Sequence, residues 1–376
     1  MTKKAPSFSI RHVFWFGWKL VILVSVALCV LALLRLQSNS ELSSISLPPQ
    51  GPRFYRVSVY QGNPKIAFLF SCVGVCLLIF CGGVSSRTRM RRIFRFIFIR
   101  SLDFMFYVAF LSDKGETKKH RQVAWGESSM IQAERLLFEA ALEDPANQRF
   151  VLLSDSCVPL YNFSYIYNYM MASPRSYVDS FLDVKEGRYN PKMSPVIPKA
   201  KWRKGSQWIS LVRSHAEVIV DDQVIFSVFK KFCKRRPPVD ARKGKQNIKL
   251  QKQHNCIPDE HYVQTLLAMS ELESELERRT LTYTEWNLSV TKMEREGWHP
   301  ITFSYANAGP QRIKEIKDVN HVYYETEFRT EWCRANSTSV PCFLFARKFS
   351  RGAAMRLLSE GVVGSFDVTA FFDAPS

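Results

Sequence analysis

The spacing of apolar positions changes several times along the chain, and each change marks an element. Ser128 to Leu142 carries Ile131, Leu137 and Ala141 near one face and runs into Asp144-Pro145, which predicts an amphipathic helix. Arg149-Phe-Val-Leu-Leu predicts a short buried strand leading into the polar triplet Ser154, Asp155, Ser156. A helix over Asn162 to Met171, a strand over Ser176 to Leu182 and a strand over Gln207 to Leu211 follow by the same reading. Arg213 to Phe232 predicts one long helix, and Thr280 to Trp286 a late strand. Upstream, Pro64-Lys-Ile-Ala-Phe-Leu-Phe is the expected first buried strand. Strands alternating with helices imply an α/β domain with a mostly parallel sheet flanked by helices. Ligands of such sheets bind beyond the carboxyl ends of the strands, where Ser154, Asp155 and Ser156 fall.

The amino end follows a different pattern. Lys3, Lys4, Arg11 and His12 precede an apolar stretch over 13–36, long enough for the roughly twenty residues that cross a bilayer. Lys19 lies near one end, where its stem can snorkel. The stretch closes in Leu33-Leu34-Arg35-Leu36-Gln37, a poor cleavage site, so a signal anchor is expected rather than a removed leader. Positive charge on the amino side keeps a 1–12 tail cytosolic and sends the body of the chain to the lumen. Residues 37–63, rich in Ser, Pro and Gly at their core, read as a stem, and 64–370 as the main folded domain. The sequons at Asn162, Asn287 and Asn336 fit a luminal body. So do Cys157, Cys233, Cys256, Cys333 and Cys342, since an oxidising lumen permits disulfides. Cys333 and Cys342 could pin one loop, and Cys233 and Cys256 could close the basic loop between them, with one thiol left over.

One segment breaks the pattern. Residues 66–84 hold no charge, and from Arg87 arginines alternate with Ile and Phe up to Phe110. Two readings compete for 66–84: a buried strand followed by a stretch that packs aberrantly, which is preferred, or a second membrane span with the arginines at its far flank.

Composition narrows the partners. An apolar fraction of 46% with 28 phenylalanines excludes a disordered chain. A net charge of +18 points to anionic partners, yet no nucleic-acid-binding module is present, so a diphosphate-bearing small molecule or a membrane surface fits better. Among candidate chemical groups, Pro258-Asp259-Glu260 opens a helix whose stripe of Tyr262, Val263, Leu266 and Leu267 anchors it to a core. That arrangement would hold Glu260 rigidly, as a general base requires. His261 is assigned no chemistry, because adjacent helical residues point apart. Cys157 has no histidine partner that sequence can place beside it. No Asp-x-Asp stands at a strand end, since Asp155-Ser-Cys lacks the second carboxylate.

With these pieces in place, the chain resembles plant members of the core-2/I-branching β-1,6-N-acetylglucosaminyltransferase family from Val123 to about Phe366. The motifs that carry the likeness are Trp125-Gly-Glu-Ser-Ser-Met-Ile-Gln-Ala-Glu134, Arg149-Phe-Val-Leu-Leu-Ser-Asp-Ser-Cys-Val-Pro-Leu160 and Lys201-Trp-Arg-Lys-Gly-Ser-Gln-Trp208. Pro258-Asp-Glu-His261, Gly297-Trp-His-Pro300 and Leu344-Phe-Ala-Arg-Lys-Phe349 complete the set. The resemblance implies a type II Golgi membrane protein with a GT-A-like catalytic domain. It also implies an inverting, metal-independent transfer from a UDP-sugar, typically UDP-N-acetylglucosamine, to a glycan or glycoprotein acceptor, with no cofactor. By position, Glu260 is similar to the family's general base and Lys348 to a residue that holds the diphosphate. Arg334, with Arg329 behind it, is the candidate second cation. Trp298, Glu186, Arg188 and Tyr189 fall where acceptor-binding groups are expected. Residues 71–121 depart from the family pattern where nucleotide-binding elements would follow the first strand.

Overall fold

The structure is a computed structural model that describes residues 24–26, 28, 30, 60–72, 94–102, 105–110, 120–124, 126–184, 187–235, 254–286, 300–335 and 337–362. The chain divides into two compact units, Met1–Val57 and Ser58–Ser376. In the first, Val24, Ser25, Val26, Leu28 and Val30 are helical and exposed; the rest of the anchor expected over 13–36 lies outside the described residues. No helix among the described residues is long and apolar enough to cross a membrane. The tail at 1–12, most of the stem, Trp125, Glu186, Asn287, Trp298, Asn336 and residues 236–253 of the basic loop also lie outside the described residues.

The second unit is built on an eight-stranded sheet. In chain order its strands are β1 (Lys65–Cys72), β2 (Phe94–Leu102), β3 (Met105–Phe110), β4 (His120–Gln122) and β5 (Asn147–Ser154). After β6 (Val158–Pro159), which belongs to another sheet, come β7 (Ser176–Tyr177), β8 (Ser210–Val212) and β9 (Leu276–Glu277). The spatial order is β4-β3-β2-β1-β5-β8-β7-β9. β1 pairs in parallel with both β2 and β5, and β7 with β9, whereas β3, β4 and β8 join antiparallel. The mostly parallel sheet expected is thus a mixed one, parallel at its centre (β2-β1-β5) and at one edge (β7-β9).

β1 explains the centre. Ile66, Ala67, Phe68, Leu69 and Phe70 are all buried, the continuous apolar run of a strand covered on both faces. Ala67 and Leu69, with Phe150 and Leu152 of β5, face the cluster containing Ile131, Leu137, Phe138 and Ala141. Those four belong to α1 (Ser128–Leu142), which matches the expected helix residue for residue. Ile66, Phe68 and Phe70 face the opposite side, against Phe163, Ile166 and Met170 of α2 (Phe163–Ala172). Phe68 meets Phe163 and Phe345 edge-on, each at 6.1 Å, and each such buried side chain contributes about 1.5–3 kcal/mol. The pairing of β1 on both edges overturns a helical membrane span beginning at residue 66, because Lys65–Cys72 is extended backbone inside a sheet. Within the atypical 71–121 stretch, β2, β3 and β4 extend that sheet; the remainder of 73–119 lies outside the described residues.

The helix expected over Arg213 to Phe232 is two helices, α3 (Arg213–Asp221) and α4 (Val224–Phe232). Asp222 breaks it: its carboxylate accepts the amides of Val224, Ile225 and Phe226 at 2.8–3.1 Å, starting a new helix. α5 (Tyr262–Met269) packs beside them in the same core. The strand expected over Ser176 to Leu182 is regular only at β7, because Phe181 leaves the sheet to bridge Lys204.

A small sheet lies alongside, ordered β10 (Thr282–Thr284), β15 (Phe345–Arg347), β6. Between β10 and β15 come α6 (Pro310–Lys317), a hairpin of β11 (His321–Tyr324) and β12 (Arg329–Trp332), and a second of β13 (Arg334–Ala335) and β14 (Thr338–Ser339). α7 (Arg351–Ser359) follows β15 and closes a third apolar cluster with α6. Disulfides join Cys233 to Cys256 and Cys333 to Cys342, leaving Cys157 a buried free thiol among the described residues.

Candidate active site

Glu260 ends a single 3₁₀ turn, Pro258–Glu260, that leads through His261 into α5. Its carbonyl accepts the Gly205 amide at 2.9 Å, and Gln264 Nε2 donates to the Ser206 carbonyl at 2.8 Å. These bonds tie the turn to the stretch 203–208. Gly205 is required there, since a Cβ would overlap the carbonyl oxygen of Asp179. The stretch continues to Ile209, whose carbonyl accepts the Leu152 amide at 2.9 Å near the carboxyl end of β5. Glu260 therefore stands at the edge where α/β sheets bind ligands.

Arg188 fixes the carboxylate, its Nη1 donating to Glu260 Oε2 at 3.0 Å. The Arg188 side chain is nearly sealed, at 8% exposure, whereas the glutamate side chain keeps 26%. Gly187, with φ of +59°, turns the chain so that Arg188 points inward. His261 behind it is buried, hydrogen-bonds the Arg203 carbonyl through Nδ1 at 2.8 Å and stacks on Trp202 at 4.4 Å. Burial holds its pKa well below the ordinary histidine value.

The other end of the same stretch carries cations. The Arg347 guanidinium lies 4.3 Å from the centroid of the Trp208 ring, and its buried Nε has no hydrogen-bond partner. Burial lowers the Arg347 pKa, against the pull of Cys157 and Asp155. Lys348, half-buried, is also lowered, first by burial and then by Arg347, with Asp155 opposing. The Phe349 amide donates to the Ser156 carbonyl at 2.9 Å, which clamps the basic pair onto the turn after β5. Gly205 and Trp208 are three residues apart, roughly 10 Å of extended chain, so one short segment holds the Glu260 backbone at one end and the Arg347 guanidinium at the other, with Lys348 next in the chain.

Two further acids lie beneath. Glu134 of α1 is buried and accepts from Gln207 Nε2 at 2.6 Å; burial, then the charge of Asp259, holds its pKa well above the carboxylate range. Asp259 is buried with Oδ1 unpartnered, and burial, then the neighbouring Glu260 charge, pushes its pKa up to about 7. Glu134 and Arg347 escaped the sequence reading, which took Asp259 only as part of the helical opening. Glu134 had left a signal, because it stands with Met130, Ala133 and Leu137 on the buried stripe of α1. Arg347 had not, because an Arg-Lys pair after an apolar run reads as solvated surface.

Several expected site residues belong elsewhere. Arg329 cannot serve as a free cation: it donates to Glu327 at 2.7 Å, to Glu331, and to the Ser180 carbonyl at 3.1 Å. Arg334 is exposed on the second hairpin, its guanidinium 5.5 Å from the centroid of the Trp332 ring. Tyr189 is a core residue, donating to the Ile197 carbonyl at 2.7 Å with its ring against Trp202. Arg188 is engaged with Glu260 rather than displayed to an acceptor. Asn162 caps α2 through Oδ1, accepting the Tyr165 amide at 2.8 Å, a bond that leaves its sequon Nδ2 out of the cap. Among the described residues no three His, Cys, Asp or Glu side chains gather as a metal ligand set.

Comparison with known proteins gives the family. The family model described as Core-2/I-Branching enzyme matches residues 105–317. A protein of Oryza sativa subsp. japonica named Glycosyltransferase BC10 is 56% identical over 248 residues, 65% of this chain and 62% of its own length. The chain thus spans less than two thirds of that relative.

Proposed function

Because the chain belongs to the Core-2/I-Branching enzyme family, we propose that it is a glycosyltransferase that moves a sugar from a UDP-sugar donor to a glycan or glycoprotein acceptor. The observation that carries the reading is the single stretch 205–208, with Glu260 bonded to one end and Arg347 stacked on the other. The name of the rice relative, a glycosyltransferase, favours the same class.

The reaction we infer is a single inverting displacement. Glu260, oriented by Arg188, takes the proton of the attacking acceptor hydroxyl as the new bond forms at the anomeric carbon. Negative charge grows on the β-phosphate of the departing UDP, and Lys348 with Arg347 meets it. Fixed side-chain cations then do the work a metal does elsewhere, so no cofactor enters the proposal. N-acetylglucosamine is the proposed sugar, on the strength of the motifs alone. A signal anchor over 13–36 and a luminal Golgi body complete the reading; the two disulfides suit an oxidising compartment.

The test is UDP release from UDP-N-acetylglucosamine by the full chain in detergent, in the presence of glycoprotein acceptors. Glu260→Gln should lose turnover on the order of 10³-fold with its affinity for UDP retained. Normal turnover in that variant would contradict the assignment of the base.

A further inference from the structure

We propose that His254 is a positioning residue for the transfer reaction, its imidazole holding the 187–190 turn where Arg188 meets the Glu260 carboxylate. The inference rests on the reading of Glu260 as the base and adds the group that keeps the Arg188–Glu260 pair in place. His254 Nδ1 lies 2.6 Å from the Tyr189 carbonyl oxygen. A carbonyl only accepts, so Nδ1 carries the proton and donates. The His254 amide donates to the Gly187 carbonyl at 3.3 Å. One residue therefore grips the chain on both sides of Arg188, whose Nη1 reaches Glu260 Oε2 at 3.0 Å.

The backbone of His254 supports the same role. Its φ is +57°, in the left-handed region that few residues other than glycine adopt. Such a conformation persists only where the surroundings enforce it, and it gathers at functional sites. Here the amide and the ring both engage 187–189. Gly187 is left-handed too, so two such residues meet at the bond from the His254 amide to the Gly187 carbonyl.

The Cys233–Cys256 disulfide makes this grip a clasp. On one side of it Phe232, the residue before Cys233, accepts Asn190 Nδ2 through its carbonyl at 3.3 Å. On the other side His254 stands two residues before Cys256. The Cys256 amide donates to the Lys234 carbonyl at 3.1 Å, and Lys234 bridges Asn255, so backbone joins the two arms as well. Both cysteines are fully buried. Four residues beyond Cys256 the same arm delivers Glu260. The segment 254–260 thus carries the carboxylate at one end and, at the other, the anchor for its guanidinium partner. Misplacing a reacting group by about 1 Å can cost on the order of 10²-fold in rate, which is the scale a loosened anchor puts at stake.

The experiment uses the full chain in detergent. It reads phenylglyoxal labelling of Arg188 by peptide mass spectrometry, kcat and KM for UDP release from UDP-N-acetylglucosamine, and melting temperature. His254→Gly keeps the left-handed backbone and the amide donor but removes the imidazole. Arg188, nearly sealed in the wild type, should label on the order of tenfold faster in this variant, with kcat lowered on the order of tenfold and KM for the donor unchanged. His254→Asn tolerates the same backbone and offers an amide N–H, so it should restore most of both. Wild-type labelling in His254→Gly would overturn the proposal, and so would wild-type kcat. A general destabilisation, with donor KM raised and no rescue by asparagine, would overturn it as well. Normal turnover in Glu260→Gln, or none in the wild type, would sink the transferase reading instead. Faster labelling would then still assign the anchor of Arg188 to His254, and unchanged labelling would remove it.

Discussion

Two regions of this molecule assemble groups that look catalytic, and only one is placed to act. At the β7–β8 edge, Ser176 Oγ lies 2.7 Å from His215 Nδ1, and His215 Nε2 lies 3.1 Å from Glu275. The order of groups is that of a hydrolytic triad. Yet Ser176 is fully buried and its Oγ also accepts the Val212 amide at 2.9 Å, so the hydroxyl joins two strands and has no face left for a substrate. At the carboxyl edge of β5 the reverse holds. Glu260 keeps part of its surface open, Asp259 Oδ1, His261 Nε2 and Gln264 Oε1 near it in the chain are buried without hydrogen-bond partners, and so is Arg347 Nε beside Trp208. Unmet polar capacity costs stability; three of these atoms belong to residues within four positions of Glu260, although Ser210 Oγ of β8 and Asn147 Oδ1 of β5 are unpartnered too.

Changes in the two regions should therefore separate stability from activity. The largest effect is expected at Gly205, where alanine would force backbone apart from backbone. Gly205→Ala should destabilise by on the order of 3 kcal/mol or more and abolish UDP release, read by thermal melting and by the release assay. Next comes Asp259. Its carboxyl is held near pKa 7 when folded against about 3.9 when unfolded, so the folded state binds the extra proton. Stability from this group is fully present below about pH 4 and is lost as pH rises through about 7. Asp259→Asn, a mimic of the neutral acid, should gain melting temperature over the wild type at pH 8 and much less at pH 5, an advantage on the order of 2–4 kcal/mol at its widest. A gap of constant size across that range would show that the group does not titrate. The smallest effect belongs to the look-alike triad. Ser176→Ala should cost about 1–3 kcal/mol by orphaning the Val212 amide, with turnover unchanged. A turnover loss as deep as that of Glu260→Gln would erase the distinction between the regions.

Sequence pattern revealed the parts whose cause is local. α1 came out with the expected ends, because its apolar spacing and the Asp144-Pro145 stop act within a few residues. Pro258-Asp-Glu likewise announced a helical opening, although the turn itself is 3₁₀. What depends on distant partners stayed hidden. Asp222 splits the long helix by capping α4, a role that an Asp-Asp pair does not advertise. Arg329 resembled a free cation until Glu327 and Glu331 were found on its guanidinium, and Tyr189 a displayed ring until Trp202 and the Ile197 carbonyl enclosed it. Arg188 was noticed for the wrong partner, because Glu260 is 72 residues away in the chain.

The central claim is that a carboxylate and a pair of desolvated cations, joined through residues 205–208, form one nucleotide-sugar site. Calorimetric titration of UDP into the full chain tests it most directly. The account predicts that Lys348→Ala and Arg347→Gln each weaken UDP binding on the order of tenfold or more, while Glu260→Gln leaves it unchanged. Equal UDP affinity in the wild type and both cation variants would contradict it.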